Sequence, residues 1–144
     1  MTTDKSKSLT ASIRLLNEKL HFEGKVIGNE PVSIDYTPPL GDSLGYTSLE
    51  LFLLSLASCT GSAILVILRK MKKTIDLFEI NSTGYRNEEH PTGFHTIKMQ
   101  VNLKSADTTP GEMTKAFEMI KKICPVLSML DKSIIMDIEH KISA

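Results

Sequence analysis

A long apolar run in the middle of the chain constrains its fold more than any other feature. Leu49–Leu68 has a single charged residue, Glu50, and a basic cluster, Arg69–Lys73, follows it. A run of this length can span a bilayer, but a helix buried by its own protein looks the same in sequence. The centre of the run, Ser55–Ala63, is only weakly apolar, and the rest of the chain supplies strands to pack against it. We therefore interpret the run as a central helix buried on all sides, not as a membrane span.

The ends of this helix follow from local signals. Thr37–Thr47 contains two prolines and two glycines, which is loop chemistry. Ser48 is predicted to cap the helix, and Glu50 lies in the first turn, where the helix dipole favours a carboxylate. We expect the helix to end near Lys73, which makes it a rod of about 40 Å. A helix of this length often forms the spine of a domain or of a dimer.

The remaining elements predict an α+β fold with the order β-β-β-α-β-β-α-α-β. The clearest strand is Phe94–Lys104, where apolar and polar residues alternate and His95 shares the inner face with Ile97. We expect one domain over residues 1–144, with residues 1–8 flexible. The other strands are predicted at Thr10–Leu16, Lys19–Ile27, Ser33–Tyr36, Ile75–Arg86 and Ile134–Ile142, and the later helices at Gly111–Ile123 and Pro125–Asp131.

Composition excludes several classes of partner. The 17 basic and 17 acidic residues cancel, and the chain has no tryptophan, so nothing indicates a nucleic-acid surface. The polar N-terminus, Met1–Ser8, lacks the apolar core of a secretion signal, which predicts a cytoplasmic protein.

The histidines do not indicate a metal site. None has the spacing of a metal ligand, so we expect neither metal nor cofactor; the four are His21, His90, His95 and His140. We expect His95 to be a hydrogen-bonded core residue.

The two cysteines, Cys59 and Cys124, allow two interpretations. In a reducing compartment a permanent disulfide is not expected. If the thiols meet in the fold, they are a transient redox or catalytic pair. If they do not meet, they are two small buried apolar residues. The sequence by itself leaves both interpretations open.

The local settings of the two thiols differ. If Pro125 begins a helix, Cys124 caps it and faces unpaired backbone N–H groups, which favours a thiolate, and Lys121 and Lys122 would add to this effect. Cys59 lies in mid-helix among small residues, where another element can approach closely. We expect no helix N-terminus beside Cys59, so its activation would have to come from a charged neighbour.

Three motifs resemble those of the OsmC/Ohr family, the osmotically inducible and organic hydroperoxide resistance proteins. The stretch from Tyr46 to Thr60 (YTSLELFLLSLASCT) resembles the family's central helix, and Gly84–Ile97 (GYRNEEHPTGFHTI) resembles the hairpin of its OsmC-like branch. Cys124-Pro-Val-Leu matches the motif of the second cysteine. The likeness extends from about Leu9 to Ser143.

The resemblance implies an intertwined homodimer built around two central helices, and a peroxidase mechanism. Cys59 would attack an organic hydroperoxide and become a sulfenic acid, and Cys124 would condense with it to a disulfide that an external dithiol reduces. In the Ohr branch an Arg–Glu pair activates the first cysteine. Here Leu16–Gly24 contains no arginine, and Glu50 precedes Cys59 by nine positions instead of ten. Glu50 is thus a candidate site residue or a helix cap.

An alternative interpretation keeps the fold without the chemistry. The same scaffold would then be a non-catalytic binding module that accepts an apolar small molecule beside the central helix, with incidental thiols. It predicts a pKa of Cys59 near that of a free thiol, about 8.5.

Overall fold

A computed structural model describes residues 4–144, so part of the segment predicted to be flexible, Met1–Thr3, lies outside the described residues. The chain divides after Leu51 into two compact units. The single domain over residues 1–144 stays a prediction.

The order of elements agrees with the predicted α+β order, with ends that differ by a few residues. The first unit holds three short strands, and the second holds a three-stranded sheet with the later helices. The elements are β1 Ser12–Leu15, β2 Phe22–Lys25, β3 Val32–Ile34, α1 Ser48–Lys70, β4 Leu77–Arg86, β5 Phe94–Lys104, α2 Pro110–Ile123, α3 Pro125–Ser128 and β6 Ile135–Ser143.

The first unit is an antiparallel sheet in the order β1-β2-β3. Among residues 4–51 only Asp35 and Gly41 are buried, so this sheet has no apolar core of its own in the single chain. The apolar side chains that stay exposed include Leu9, Ile13, Leu15, Leu16, Val26 and Ile27. An uncovered apolar surface of this kind marks a contact surface.

The loop before α1 is folded around the Asp35 carboxylate. This carboxylate accepts hydrogen bonds from the backbone N–H groups of Tyr36, Asp42 and Leu44 at 2.7, 3.1 and 3.1 Å. Burial by itself raises the pKa of Asp35, but the three N–H donors outweigh it and leave this pKa below its ordinary value. The ionised carboxylate therefore orders the proline- and glycine-rich segment that leads into the helix.

Both ends of α1 differ from the prediction. Thr47, not Ser48, caps the helix: its hydroxyl oxygen accepts the N–H of Glu50 at 3.3 Å, and the Glu50 carboxylate accepts the N–H of Thr47 at 2.8 Å. The helix ends at Lys70 instead of Lys73. Lys72 adopts a left-handed conformation with φ 58°, and the Lys73 N–H donates to the Leu68 carbonyl at 3.0 Å, which closes the helix as a Schellman motif.

The sheet of the second unit has the order β4-β5-β6. β4 and β5 form the predicted antiparallel hairpin, and β6 adds to β5 in parallel, with Thr96 opposite Ile135. The central strand buries the predicted inner residues, which are Ile97, Met99, Val101 and Leu103. They form the face of the sheet on which the helices pack.

The prediction for His95 was wrong. Tyr85 pairs with Thr96 while Arg86 pairs with Phe94, so a β-bulge leaves His95 without a partner across the hairpin. The bulge shifts the side-chain alternation, and His95 is exposed, with Nδ1 2.8 Å from the Thr96 hydroxyl. Phe94 packs on the inner side instead, 6.1 Å from the Phe52 ring.

Two apolar clusters connect the helices to this sheet. The larger cluster joins α1, β5 and α2 through residues such as Ile64, Val101 and Met113, and the smaller one surrounds Leu56. The predicted inner face of α2 is confirmed, since Met113, Ala116 and Ile120 are fully buried and Phe117 packs against them. The sheet and α2 thereby fix which side of α1 faces the core.

The sequence predicted that the central helix is buried on all sides. Within the single chain this prediction was wrong, because one side of α1 is exposed. Its buried residues are Leu56, Thr60, Gly61, Ile64, Ile67 and Leu68, whereas Leu54 and Val66 are exposed. In the part of the chain that the structure describes, α1 is also the one helix whose length and composition would allow it to cross a bilayer. The core helix of a soluble protein passes the same test, so this property is weak support for a membrane span.

Candidate active site

The fold brings the two cysteines together. Cys59 on α1 and Cys124 between α2 and α3 are 65 positions apart, yet their Sγ atoms lie 2.9 Å from each other. Both are free thiols. Cys59 is half-buried, and Cys124 is 1% exposed. Of the two interpretations that the sequence left open, the structure therefore supports the one in which the thiols meet.

The position of Cys124 follows from the proline after it. Pro125 has no N–H and cannot continue α2, so α2 ends at Ile123 and α3 begins at Pro125. Cys124 adopts an extended conformation between them, and its sulfur accepts the N–H of Leu127 at 3.5 Å. The prediction that Cys124 caps a helix is confirmed.

Cys59 lies where the buried face of α1 meets an open groove. This groove, the thiol groove, has a volume of about 360 Å³. Its floor contains both sulfur-bearing residues, and its walls come from α1 and from the α2–α3 corner. The lining residues are Ser58, Cys59, Ser62, Ala63, Val66, Ile123, Cys124 and Pro125.

The electrostatic setting of Cys59 is weakly polar. Burial raises the pKa of the Cys59 thiol, and the hydrogen bond between the Cys59 and Cys124 sulfurs raises it further. Repulsion between two thiolates in contact adds a smaller increase. The Val126 backbone N–H lowers the same pKa, but by less. None of the lining residues is charged, and the exposed Lys121 and Lys122 are not among them.

The Val126 N–H is a contributor that sequence reasoning missed, since we expected no helix N-terminus beside Cys59. The Cys124-Pro125 pair correctly predicted the start of α3, but no sequence signal showed that α3 would face α1. Two basic residues lie close in sequence to the position where the Ohr branch has its arginine. Arg14 pairs with Glu23 at 3.7 Å, and Lys19 pairs with Asp42 at 2.7 Å.

Glu50, the third candidate site residue, lies at the first turn of α1. Its carboxylate forms the capping contact with Thr47, and the Thr47 N–H lowers the pKa of Glu50. Glu50 is not among the residues that line the thiol groove. The structure thus brings Cys59 and Cys124 into contact and gives Glu50 a local role at the helix start.

The candidate site is a pair of free thiols in contact at the edge of a long helix, on an α+β fold with two three-stranded sheets. The family of OsmC-like proteins matches residues 41–139, which include both cysteines and Glu50. The match covers more than half of the chain. The protein belongs to the OsmC/Ohr family.

Solved structures share the fold over nearly the whole chain. A hypothetical protein from Aquifex aeolicus VF5 is 22% identical, covers 94% of this chain and 96% of its own, and has a TM-score of 0.81. An OsmC-like protein from Mycoplasma pneumoniae is 18% identical, with coverage of 96% and 99% and a TM-score of 0.82. The organic hydroperoxide resistance protein OhrB of Bacillus subtilis is 17% identical, with coverage of 93% and 98% and a TM-score of 0.66.

At these identities the likeness to solved structures shows the fold alone. None of the curated proteins matches the sequence significantly. Family membership, and the hydroperoxide resistance that some members have in their names, support a redox or peroxidase role at the level of the family.

The contact between the thiols leads to a prediction about the titration of Cys59. We expect Cys124→Ser to lower the pKa of Cys59 from its raised wild-type value, because the variant removes the neighbouring sulfur that disfavours the thiolate. Cys59 should therefore become thiolate at a lower pH than in the wild type. The measurement is the rate of alkylation of the Cys59 peptide against pH, with Ser55→Ala as the control. An unchanged or higher pKa in Cys124→Ser would contradict the assignment.

Proposed function

We propose that the protein is a thiol-dependent peroxidase that reduces organic hydroperoxides. The observation that carries the proposal is the 2.9 Å separation of the Cys59 and Cys124 sulfur atoms. The apolar walls of the thiol groove, Val66, Ile123 and Pro125, suit the organic part of such a substrate. The names of the hydroperoxide resistance proteins in the family support the same substrate class.

In the first step the Cys59 thiolate attacks the terminal oxygen of the hydroperoxide. The O–O bond breaks, an S–O bond forms, and the alkoxide takes a proton and leaves as an alcohol. Cys59 is oxidised to a sulfenic acid, and the peroxide is reduced. The half-buried Cys59 is the better candidate for this role, since Cys124 is almost fully buried.

In the second step the Cys124 sulfur attacks the Cys59 sulfenic acid. An S–S bond forms, the S–O bond breaks, and the hydroxyl leaves as water with the Cys124 proton. Because the sulfurs are already in contact, this step requires little movement of α1 or α3. Fast closure of the disulfide would protect Cys59 from further oxidation.

In the third step an external dithiol restores the two thiols. Its two sulfurs become a disulfide, and its two protons and electrons pass to Cys59 and Cys124. The cycle needs a compartment that keeps such dithiols reduced, and we propose the cytoplasm. No cofactor takes part.

The experiment is mass spectrometry of the reduced protein before and after one equivalent of an alkyl hydroperoxide. We expect the wild type to lose two hydrogens and to yield a Cys59–Cys124 linked peptide. Cys59→Ser should lose peroxide consumption to the level of buffer. With one equivalent, Cys124→Ser should stop at a Cys59 sulfenic acid; with excess hydroperoxide it should go on to a sulfinic acid, because no thiol is present to trap the sulfenic acid. Unchanged thiols in the wild type, with peroxide still present, would contradict the proposal.

One observation favours a second candidate function, a non-catalytic module that binds an apolar small molecule. Burial raises the pKa of Cys59, and no charged side chain lines the thiol groove, so the reactive thiolate is scarce at neutral pH. On this account an apolar ligand binds in the groove and the thiols stay reduced in the presence of peroxide. The mass spectrometry experiment therefore distinguishes the two candidates.

Glu50 is tested by a substitution that separates catalysis from capping. Glutamine can form the same capping contact with Thr47 but carries no charge. If Glu50 only caps α1, we expect Glu50→Gln to keep peroxide consumption within about twofold of the wild type, since the cap is preserved. A loss of more than about tenfold with unchanged thermal stability would assign a catalytic role to the carboxylate.

We further propose that the protein works as a homodimer in which α1 packs against α1 of a second copy. The exposed side of α1 forms a second groove, the helix groove, of about 380 Å³. The small exposed residues there, Ser58 and Ser62, let another helix approach closely. Its lining residues are Leu54, Ala57, Ser58, Gly61, Ser62, Leu65, Phe78 and Ile80. The uncovered apolar side chains of the first unit also suit an extensive contact between copies.

The dimer is tested by placing a charge in the helix groove. We expect Leu54→Arg to weaken dimerisation by at least about tenfold, because the interface would bury an unpaired charge. Leu54 is exposed in the single chain, so the fold of each copy should survive. Sedimentation velocity over a range of concentrations measures the change, with Leu77→Arg on β4 as the control. A wild type that remains monomeric at high concentration would contradict the dimer.

A further inference from the structure

The two thiols at the floor of the thiol groove form a chelating pair as well as a redox pair. We propose that the reduced protein binds a trivalent organoarsenical, whose arsenic atom bridges the sulfur atoms of Cys59 and Cys124. This inference uses the same thiols as the proposed peroxidase, but it requires no reaction with peroxide.

The separation of the two sulfur atoms decides which metal or metalloid atom can bridge them. Two thiolates on a tetrahedral zinc ion, with Zn–S bonds of about 2.3 Å, lie about 3.8 Å apart. The Cys59 and Cys124 sulfurs lie 2.9 Å apart, about 0.9 Å closer than that ion would hold them. Within residues 4–144 there is also no group of three ligands that would complete a metal site. The pair therefore does not suit a tetrahedral divalent metal.

Trivalent arsenic has different requirements. It is a soft, three-coordinate, pyramidal centre that is satisfied by two sulfurs and one organic substituent. Its S–As–S angle is close to a right angle, which holds the two sulfurs closer together than a tetrahedral ion with similar bond lengths does. At a right angle, bonds of about 2.3 Å would hold the sulfurs about 3.2 Å apart, which is nearer to the 2.9 Å separation of the Cys59 and Cys124 sulfurs than the zinc value is. Soft thiolate ligands also favour such a centre.

The thiol groove provides the access and the room for the third substituent. Both cysteines line the groove, so an atom that enters it reaches the half-buried Cys59 and the more deeply placed Cys124 from the same side. The volume of about 360 Å³ accommodates an aromatic ring. Val66, Ile123 and Pro125 offer apolar contacts to the ring, and no charged side chain lines the groove.

The binding reaction balances without an oxidant or a reductant. An arsenic oxide of the form R–As=O loses its oxygen and gains two As–S bonds. The two thiol protons leave with that oxygen as one molecule of water. Arsenic stays trivalent and neither sulfur is oxidised, so the product is a closed dithioarsenite ring that includes Cys59 and Cys124.

The test uses phenylarsine oxide and the fully reduced protein. We expect the intact mass to rise by one phenylarsenic group less two hydrogens, and a dithiol to release the adduct more readily than a monothiol. Either Cys59→Ser or Cys124→Ser should weaken binding by about 10²–10⁴-fold, because the second As–S bond is an intramolecular event. Ser55→Ala should bind as the wild type does. The Cys124→Ser side chain keeps an oxygen that can cap α3, so this variant is expected to fold.

Two results would overturn the inference. One is a wild-type affinity no higher than that of the single-cysteine variants, and the other is release by a monothiol at the same rate as by a dithiol. Peroxide consumption is measured on the same samples. If the protein binds phenylarsine oxide tightly but consumes no peroxide, this inference holds and the proposed peroxidase function is wrong. If it consumes peroxide but does not bind phenylarsine oxide tightly, the peroxidase function holds and this inference is wrong.

Discussion

Pro125 ends helix α2 at Ile123, two residues before it, and this break determines where the Cys124 sulfur lies. Because proline has no N–H to offer and its ring blocks the preceding turn, Cys124 leaves the helix in an extended conformation. Its sulfur then lies between the Leu127 N–H and the Cys59 sulfur. A residue that continued α2 would carry Cys124 round the helix and away from this position. The proposed redox mechanism and the proposed binding of arsenic both depend on this local geometry.

The contact between the Cys59 and Cys124 sulfurs also disfavours ionisation of the Cys59 thiol. Two sulfurs in contact, half-shielded from water, disfavour a thiolate at Cys59, and a single backbone N–H from Val126 offsets this only in part. The site is thus better adapted to close a disulfide quickly than to present a strongly ionised nucleophile. The low tendency of Cys59 to ionise is also what a non-catalytic binding module would show.

Much of the fold could be predicted from the sequence because its signals are local. Phe94–Lys104 was predicted with the correct ends from alternation alone, and the Cys124-Pro125 pair located the start of α3. The errors came from features that local patterns do not encode. A bulge at His95 reversed its side of the strand, and a left-handed Lys72, where glycine is usual, ended α1 early. The contact between Cys59 and Cys124 spans 65 positions and depends on how α3 packs on α1, so the sequence could only leave it open.

Folding itself holds the Cys59 and Cys124 thiols in contact. The most direct measurement is the effective concentration of Cys59 and Cys124 toward each other, from the equilibrium between the reduced and disulfide forms in glutathione buffers. It should be made on the native protein and on the protein unfolded in urea. Our account predicts a markedly higher effective concentration in the native protein. Equal values in the two states would show that the fold does not bring the sulfurs together, and would contradict the account.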